Sequence, residues 1–115
     1  MNEVYDVAND SWTTKKPIHY PADSYASAVV YGKIYVIGGF EGLYHGVPVG
    51  YAQIYDPVTD SWSLGASLPE IVRDAAAGVT TGALALKRIY VVGGQEMRAF
   101  NYTQVYDILR MTPGL

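Results

Sequence analysis

Two short runs of apolar residues give the clearest indication of secondary structure in this chain. Residues 34–37 read Ile-Tyr-Val-Ile and residues 89–92 read Ile-Tyr-Val-Val, with no charged residue in either run. A strand with one solvated face would alternate apolar and polar side chains, and these runs do not alternate. β-Branched and aromatic residues also favour strands over helices. Both runs are therefore expected to be strands that are covered on both faces, as in sheets stacked face to face.

Several sequence patterns recur along the chain at an interval of about 50 residues. Because they return in the same order, chance is not a plausible explanation, and we expect repeated structural units. The recurring segments are residues 3–12 and 53–62, which share Tyr, Asp, Asp, Ser and Trp; residues 33–39 and 88–94, which both end in Gly-Gly; and residues 53–56 and 104–107, which both read Gln-x-Tyr-Asp.

Each unit is predicted to form four short antiparallel strands, called a, b, c and d. A tight turn at Gly32 joins a to b, because glycine adopts positive φ without strain. A turn around Pro57 joins c to d, with Asp56 able to accept hydrogen bonds from the backbone. Residues 75–86 are rich in alanine, but their Gly and Thr argue against a helix, and the repeat places the next strand a in the second half of this segment. In the complete unit the strands are expected at residues 25–31, Lys33–Ile37, Ala52–Asp56 and Ser61–Leu64.

The order of these motifs resembles that of the kelch repeat. The matching residues are Gly38-Gly39, Tyr55-Asp56, Trp62 and the strand at residues 89–92 followed by Gly93-Gly94, and the resemblance extends over roughly residues 2–108. It implies an all-β fold, a kelch-type β-propeller whose blades are sheets of four antiparallel strands. It also implies a platform for protein binding, the role of most kelch propellers, with a minority acting as enzymes.

The resemblance divides the chain into a partial blade at residues 2–16, a full blade at 24–66 and a partial blade at 78–108, so one chain holds an incomplete ring. Two blades alone would leave large apolar faces in water. Two explanations stay open: the chain is a segment of a longer protein, or several copies close a ring by head-to-tail contacts. Strands a and b of one copy and strands c and d of the next would complete a blade, which suggests a homotrimer with six blades, in which strand c is present twice at each junction.

Composition and charge exclude several classes of function. The net charge is −3 and 17% of the residues are charged, which argues against nucleic acid and against an anionic membrane as partners. The chain has no cysteine, which excludes disulfides and the Tyr–Cys copper centre of galactose-oxidase-like propellers. No secretory signal and no membrane-spanning apolar run is visible, so a cytoplasmic location is expected, although a cysteine-free chain also suits exported microbial proteins. We expect no cofactor.

A binding surface is predicted on the side of the sheets where the long loops lie. Because strand direction alternates, the b–c and d–a loops share one end of each sheet, and the short a–b and c–d turns share the other. Long loops on a rigid scaffold are the usual place for binding, and aromatic and arginine side chains are favoured contact residues. The residues expected to contact a protein partner are Tyr44, His45, Arg73, Arg98 and Phe100.

Other interpretations of the long loops stay open. Glu70, Arg73 and Asp74 form the densest charged group and could serve a sugar-directed enzyme, as in kelch-type sialic acid epimerases, although an ion pair that holds the loop is the simpler explanation. A truncated product without activity of its own is another alternative. A metal site is not expected, because His19 and His45 are the only histidines and show no ligand spacing.

Overall fold

The fold consists of strands and turns. The computed structural model describes residues 1–41, 47–80, 87–96, 98–99 and 101–108, and no helix occurs in these ranges. Within them, the longer strands form three sheets and strands of two residues form two small hairpins. The strands are β1 Asn2–Asp6, β2 Ser11–Lys15, β3 Ala26–Val30, β4 Lys33–Ile37, β5 Phe40–Glu41, β6 Val47–Pro48, β7 Ala52–Asp56, β8 Ser61–Leu64, β9 Ala76–Val79, β10 Arg88–Val92, β11 Gln95–Glu96, β12 Arg98–Ala99 and β13 Thr103–Asp107.

The middle sheet has four antiparallel strands in the order β3-β4-β7-β8. They coincide with the predicted strands a, b, c and d, and the bounds of b, c and d are those expected from the repeat. The pairs Tyr35↔Ile54 and Tyr55↔Trp62 set the register of strand c against its two neighbours. The all-β class and the four-stranded antiparallel sheet are thereby confirmed.

A two-stranded sheet precedes the middle sheet, and a three-stranded sheet follows it. β1 pairs with β2 and supplies strands c and d, whereas the last sheet supplies strands c, b and a in the order β13-β10-β9. β9 begins at Ala76, two residues before the expected start of that partial blade at residue 78. Strand a therefore occupies the first half of residues 75–86, while residues 81–86, where it was expected, lie outside the described chain.

The two b strands begin 55 residues apart, at Lys33 and Arg88, whereas residues 3–12 recur after 50 residues. This difference has a structural cause. Val30 pairs with Lys33 across a turn of two residues in the middle sheet. In the last sheet, Thr80 N donates to Arg88 O at 3.2 Å, which closes a connection of seven residues. The a–b connection of the last sheet is thus five residues longer. The expectation of short a–b turns holds for the middle sheet alone.

The hydrophobic core lies between the middle sheet and the last sheet. Tyr35 and Ile37 of β4 are 6% and 3% exposed, and they share one cluster with Ile89 and Val91 of β10, which are 0% and 2% exposed. Burying each such side chain contributes about 1.5–3 kcal/mol. Burial raises the pKa of Tyr35, with a smaller contribution from Tyr106, whose ring lies 5.9 Å away. The apolar runs of the b strands are therefore the surfaces that join the sheets.

The outer face of the last sheet is apolar and exposed. By the repeat, Val92 and Val105 are equivalent to Ile37 and Ile54 of the middle sheet. Val92 is 50% and Val105 is 48% exposed, whereas Ile37 is 3% exposed. Ile37 is buried and Ile54 is partly buried where another sheet follows, whereas their equivalents are exposed where none follows in the described chain. This outer face therefore leaves apolar side chains exposed to solvent.

The recurring Asp after Tyr organises the short turns. Asp56 Oδ1 accepts Val58 N at 2.9 Å, as predicted, and Asp6 Oδ1 accepts Ala8 N at 3.0 Å. Hydrogen bonds from the Asn9 side chain and the Ala8 backbone lower the pKa of Asp6. Asp107 differs, because its Oδ1 accepts Arg88 Nε at 2.5 Å and so ties strand c to strand b.

The Gly-Gly pair that ends each b strand lets the d–a loop pass at contact distance. Gly39 has a φ of +94° and Gly94 a φ of +87°. A Cβ on Gly39 would overlap the carbonyl oxygen of Asp23, and one on Gly94 would lie 2.8 Å from the carbonyl oxygen of Arg73. Because glycine alone tolerates both this φ and this approach, the recurring glycines position the loop before strand a.

Two buried glutamines fix the d–a loops to the c strands. Gln53 is 2% exposed; its Oε1 accepts Tyr20 N and its Nε2 donates to Tyr20 O, both at 2.9 Å. Gln104 makes the same two bonds with Glu70 N at 2.9 Å and Glu70 O at 3.0 Å. A primary amide suits this role because it donates and accepts at once. Both long loops are therefore anchored in the same way.

Candidate binding surface on the long-loop face

The b–c and d–a loops lie at one end of the sheets, as their order along the chain predicts. Ala26 pairs with Ile37, and Ile37 pairs with Ala52, so the start of strand a, the end of b and the start of c share this end. Each b–c loop contains a small hairpin, β5–β6 after the middle b strand and β11–β12 after the last one. We call this end the long-loop face; it comprises the described residues among 18–25, 38–51, 66–75 and 93–102.

Backbone hydrogen bonds join each d–a loop to the b–c loop that follows it. Asp23 N donates to Phe40 O at 2.9 Å, and Phe40 N donates to Asp23 O at 2.8 Å. Arg73 and Gln95 form the equivalent pair at 3.0 and 2.9 Å. Since Asp23 stands where the next unit has Arg73, the arginine is not repeated around the face. The paired loops hold their side chains in defined positions, which lowers the entropy cost of binding.

Arg73 is the centre of a side-chain cluster on this face. Its guanidinium carbon lies 4.6 Å from the centre of the Phe40 ring, and its Nη1 lies 3.2 Å from Asp74 Oδ2. Gln95 Nε2 also donates to Asp74 Oδ2, at 2.9 Å. Asp74 N donates to Ser24 O at 2.8 Å, so the cluster bridges the two units. The Arg73 side chain is 29% exposed, which leaves part of a ring-backed cation open to a ligand.

Two of the five predicted contact residues, Arg73 and Arg98, lie among the residues that the structure describes. Arg73 lies in the cluster, and Arg98 is exposed on β12, where its backbone pairs with Glu96 of β11. The two arginines therefore belong to adjoining elements of the long-loop face. Tyr44, His45 and Phe100 lie outside the described residues.

The charged group at residues 70–74 does not converge on one point. The ion pair of Arg73 within the described chain is with Asp74, its neighbour in sequence. Glu70 contributes its backbone, which Gln104 binds from both sides. This arrangement matches the loop-holding ion pair suggested as the simpler explanation.

The described residues form neither a metal cluster nor a membrane-spanning helix. No group of three His, Asp or Glu side chains there is placed to hold a metal ion. No helix in that part of the chain is long and apolar enough to cross a membrane.

Two members of the cluster, Phe40 and Gln95, are not among the predicted contact residues. Each directly follows a Gly-Gly pair, and that shared position is the signal that could have marked them as equivalent. The contact of Phe40 with Arg73 joins residues that lie far apart in sequence and in different units. No local pattern contains such a contact, because it arises from stacking the two sheets.

The motif match and the similar proteins all point to the same family. The kelch motif is recognised over residues 21–69, a range that contains the middle sheet. Mouse Kelch-like protein 35 is 34% identical over 109 residues, which cover 94% of this chain and 18% of the mouse protein. Kelch-like protein terF of Aspergillus terreus is 30% identical over 112 residues, covering 96% and 24%. Human Kelch repeat and BTB domain-containing protein 12 is 30% identical over 97 residues, covering 78% and 15%. The matched chain thus spans less than a quarter of these relatives.

Sheets of antiparallel strands stacked face to face, each b strand ending in Gly-Gly, define the blades of a β-propeller. With the motif match and the relatives, the chain belongs to the kelch-repeat family.

Proposed function

We propose that the chain is a protein-interaction module that binds its partner through the long-loop face. The observation that supports this best is the Arg73 cluster, in which the guanidinium lies 4.6 Å from the Phe40 ring centre. An arginine stacked on an aromatic ring offers a flat apolar surface together with directed N–H donors. Arginine and aromatic residues of this kind are enriched among the residues that dominate protein–protein binding energy.

The chemistry of the face indicates what the partner provides. Arg73, Arg98 and Gln95 all carry N–H donors on this face, and Arg98 is exposed. A partner segment that presents carboxylate or carbonyl oxygens fits these donors. The Phe40 ring adds an apolar base next to them. We therefore expect a peptide segment with acidic or amide side chains as the partner element.

The module is completed, in this proposal, by further copies of the chain. Val92 and Val105 are half exposed on the last sheet, although their equivalents in the middle sheet face another sheet. Head-to-tail contact between copies would repeat the contact that the middle and last sheets already make. Three copies with two blades each give six blades, within the range of roughly four to eight known for propellers.

The long-loop face is tested with a double variant and a matched control. Arg73→Ala/Arg98→Ala removes both arginines, whereas Lys33→Ala removes an exposed cation from the short a–b turn at the opposite end. A partner is first identified by capture on the tagged wild-type chain and is then purified for calorimetric titration. We expect the double variant to bind at least about tenfold more weakly and the control to bind normally. Equal affinity of all three folded proteins would contradict the proposal.

A further inference from the structure

A cavity of about 510 Å³ opens beside the core, between the middle sheet and the last sheet. Tyr35 and Ile37 of β4 form one wall, and Tyr106 of β13 forms another. Residues 66–69 of the d–a loop, which include Leu68 and Pro69, close a third side. The cavity is thus lined mainly by apolar and aromatic side chains and is continuous with the contact between the two sheets.

The equivalent place in the preceding unit is filled by a tryptophan. Trp62 of strand d lies beside residues 16–19, and its Nε1 donates to Lys16 O at 2.9 Å. Its ring lies 5.0 Å from the ring of Tyr55. Residues 66–69 and Tyr106 line the cavity, and by the repeat they correspond to residues 16–19 and Tyr55 of the preceding unit. The last sheet has no strand d in the described chain, so the cavity is the place of a strand-d indole.

We propose that the cavity binds the indole of Trp12 from a second copy of the chain, whose β2 pairs with β13 as strand d of the last sheet. This inference rests on the proposed function, because it specifies how the copies associate. Trp12 follows Asp-Ser, as Trp62 does, but it is 68% exposed. Moving a tryptophan ring into an apolar cavity removes a large apolar surface from water, on the order of 150–250 Å².

The pairing requires an exchange of strands, because β2 is bonded to β1 in the free chain. No residue of β1 is buried, whereas β13 contains Gln104, which is 8% exposed and bound to Glu70. β1 is therefore the strand that leaves, and β13 keeps its place. One antiparallel ladder replaces another of similar length, so the backbone hydrogen bonds are conserved. The contact of Trp12 with the Tyr5 ring, at 5.1 Å, gives way to contact with Tyr106.

The register of the new strand pair follows from the middle sheet. There, Ile54 pairs with Ser63 and Tyr55 pairs with Trp62. The equivalent partners between copies are Val105 with Thr13, and Tyr106 with Trp12. Adjacent residues of a strand point to opposite faces, so Thr14 cannot replace Thr13 in this pair. Both threonines are exposed, and the chain has no cysteine of its own, which makes the register accessible to disulfide crosslinking.

The crosslinking experiment mixes full-length chains that carry one cysteine each. Val105→Cys chains are combined with Thr13→Cys chains, or with Thr14→Cys chains as the matched control, in a glutathione redox buffer. Tags of different mass identify linked heterodimers on non-reducing gels. We expect at least about tenfold more heterodimer with Thr13→Cys, because only that pair brings the Cβ atoms to disulfide distance. Equal yields would overturn the register, and no heterodimer in either mixture would overturn the strand insertion.

Tryptophan fluorescence separates this inference from the proposed function. Trp62→Phe leaves Trp12 as the only indole, since the chain has two tryptophans. We expect its emission to move to shorter wavelength as the solution mass rises with concentration, and Trp12→Ala to associate more weakly. If the mass rises while Trp12 emits like an exposed indole, the cavity proposal fails and assembly of copies stands. If the mass stays that of one chain, both fail.

Discussion

Replacing Gln53 by leucine is expected to lower the free energy of unfolding, because this one side chain binds two backbone groups. The Gln53 amide holds both the N–H and the carbonyl oxygen of Tyr20, and its side chain is 2% exposed. Leucine would leave these two backbone groups of a partly buried loop without protein partners. An unsatisfied buried polar group costs about 1–3 kcal/mol, so for two partly buried groups we expect a loss of about 2–4 kcal/mol in the free energy of unfolding.

Urea denaturation followed by circular dichroism measures this loss, with the free energy of unfolding obtained by linear extrapolation. Gln95→Leu is the matched control, because the Gln95 side chain donates an exposed hydrogen bond to Asp74, and the loss of that bond should cost under about 1 kcal/mol. Gln53→Glu should also destabilise the fold, since a buried carboxylate accepts from Tyr20 N but is repelled by Tyr20 O. A loss below about 0.5 kcal/mol for Gln53→Leu would refute the claim that the two hydrogen bonds between Gln53 and Tyr20 stabilise the fold.

Three further predictions concern stability. Gly39→Ala should cost more than about 3 kcal/mol, because its Cβ would overlap a carbonyl oxygen, whereas Gly32→Ala, with no heavy atom within 4 Å, should cost about 1 kcal/mol. Hydrogen bonds from Lys16 N and the Tyr55 hydroxyl lower the pKa of Asp60. The stability that Asp60 contributes is therefore present above its ordinary pKa of 3.8 and is lost as the pH falls through the lowered value. Asp60→Asn should flatten this acid limb, the fall in the free energy of unfolding at low pH. In dilute solution, Trp62→Ala should destabilise more than Trp12→Ala, which removes a side chain that is 68% exposed.

Thermal and urea unfolding of each pair provides the measurement. Equal losses for the two glycine variants would contradict the close approach of the d–a loop to the b strand. If the free energy of unfolding of Asp60→Asn fell as steeply at low pH as that of the wild type, the Asp60 carboxylate would not link its c–d turn to the preceding strand d. A larger loss for Trp12→Ala than for Trp62→Ala would contradict the packing of the middle blade.

Much of the fold could be predicted because its signals are local and repeated. The b strand at Lys33–Ile37 and the c strand at Ala52–Asp56 were bounded correctly by glycine pairs, Tyr-Asp and proline. The a strand at Ala76–Val79 was placed too late, because the longer a–b connection of the last sheet carries no distinct pattern. The two-residue strands of the b–c hairpins are too short for any periodicity to mark them.

The candidate site could be predicted only in outline. Alternating strand directions place the long loops on one face, and the composition of those loops indicates arginine and aromatic residues there. The contact between Arg73 and Phe40 depends on stacking of the two units, so no pattern within either unit contains it. The roles of Gln53 and Gln104 were accessible through their shared Gln-x-Tyr-Asp, but a buried amide gives no hydrophobic signal.

The exposed apolar faces of the outer sheets are the basis for expecting further copies, and solution mass tests this most directly. Light scattering on the protein as it elutes from a size-exclusion column, loaded over a wide range of concentrations, measures the mass without labels. We predict a species of three times the chain mass of 12.6 kDa at high concentration. A stable, homogeneous species of one chain mass at every concentration would contradict the claim that these faces are built to be covered.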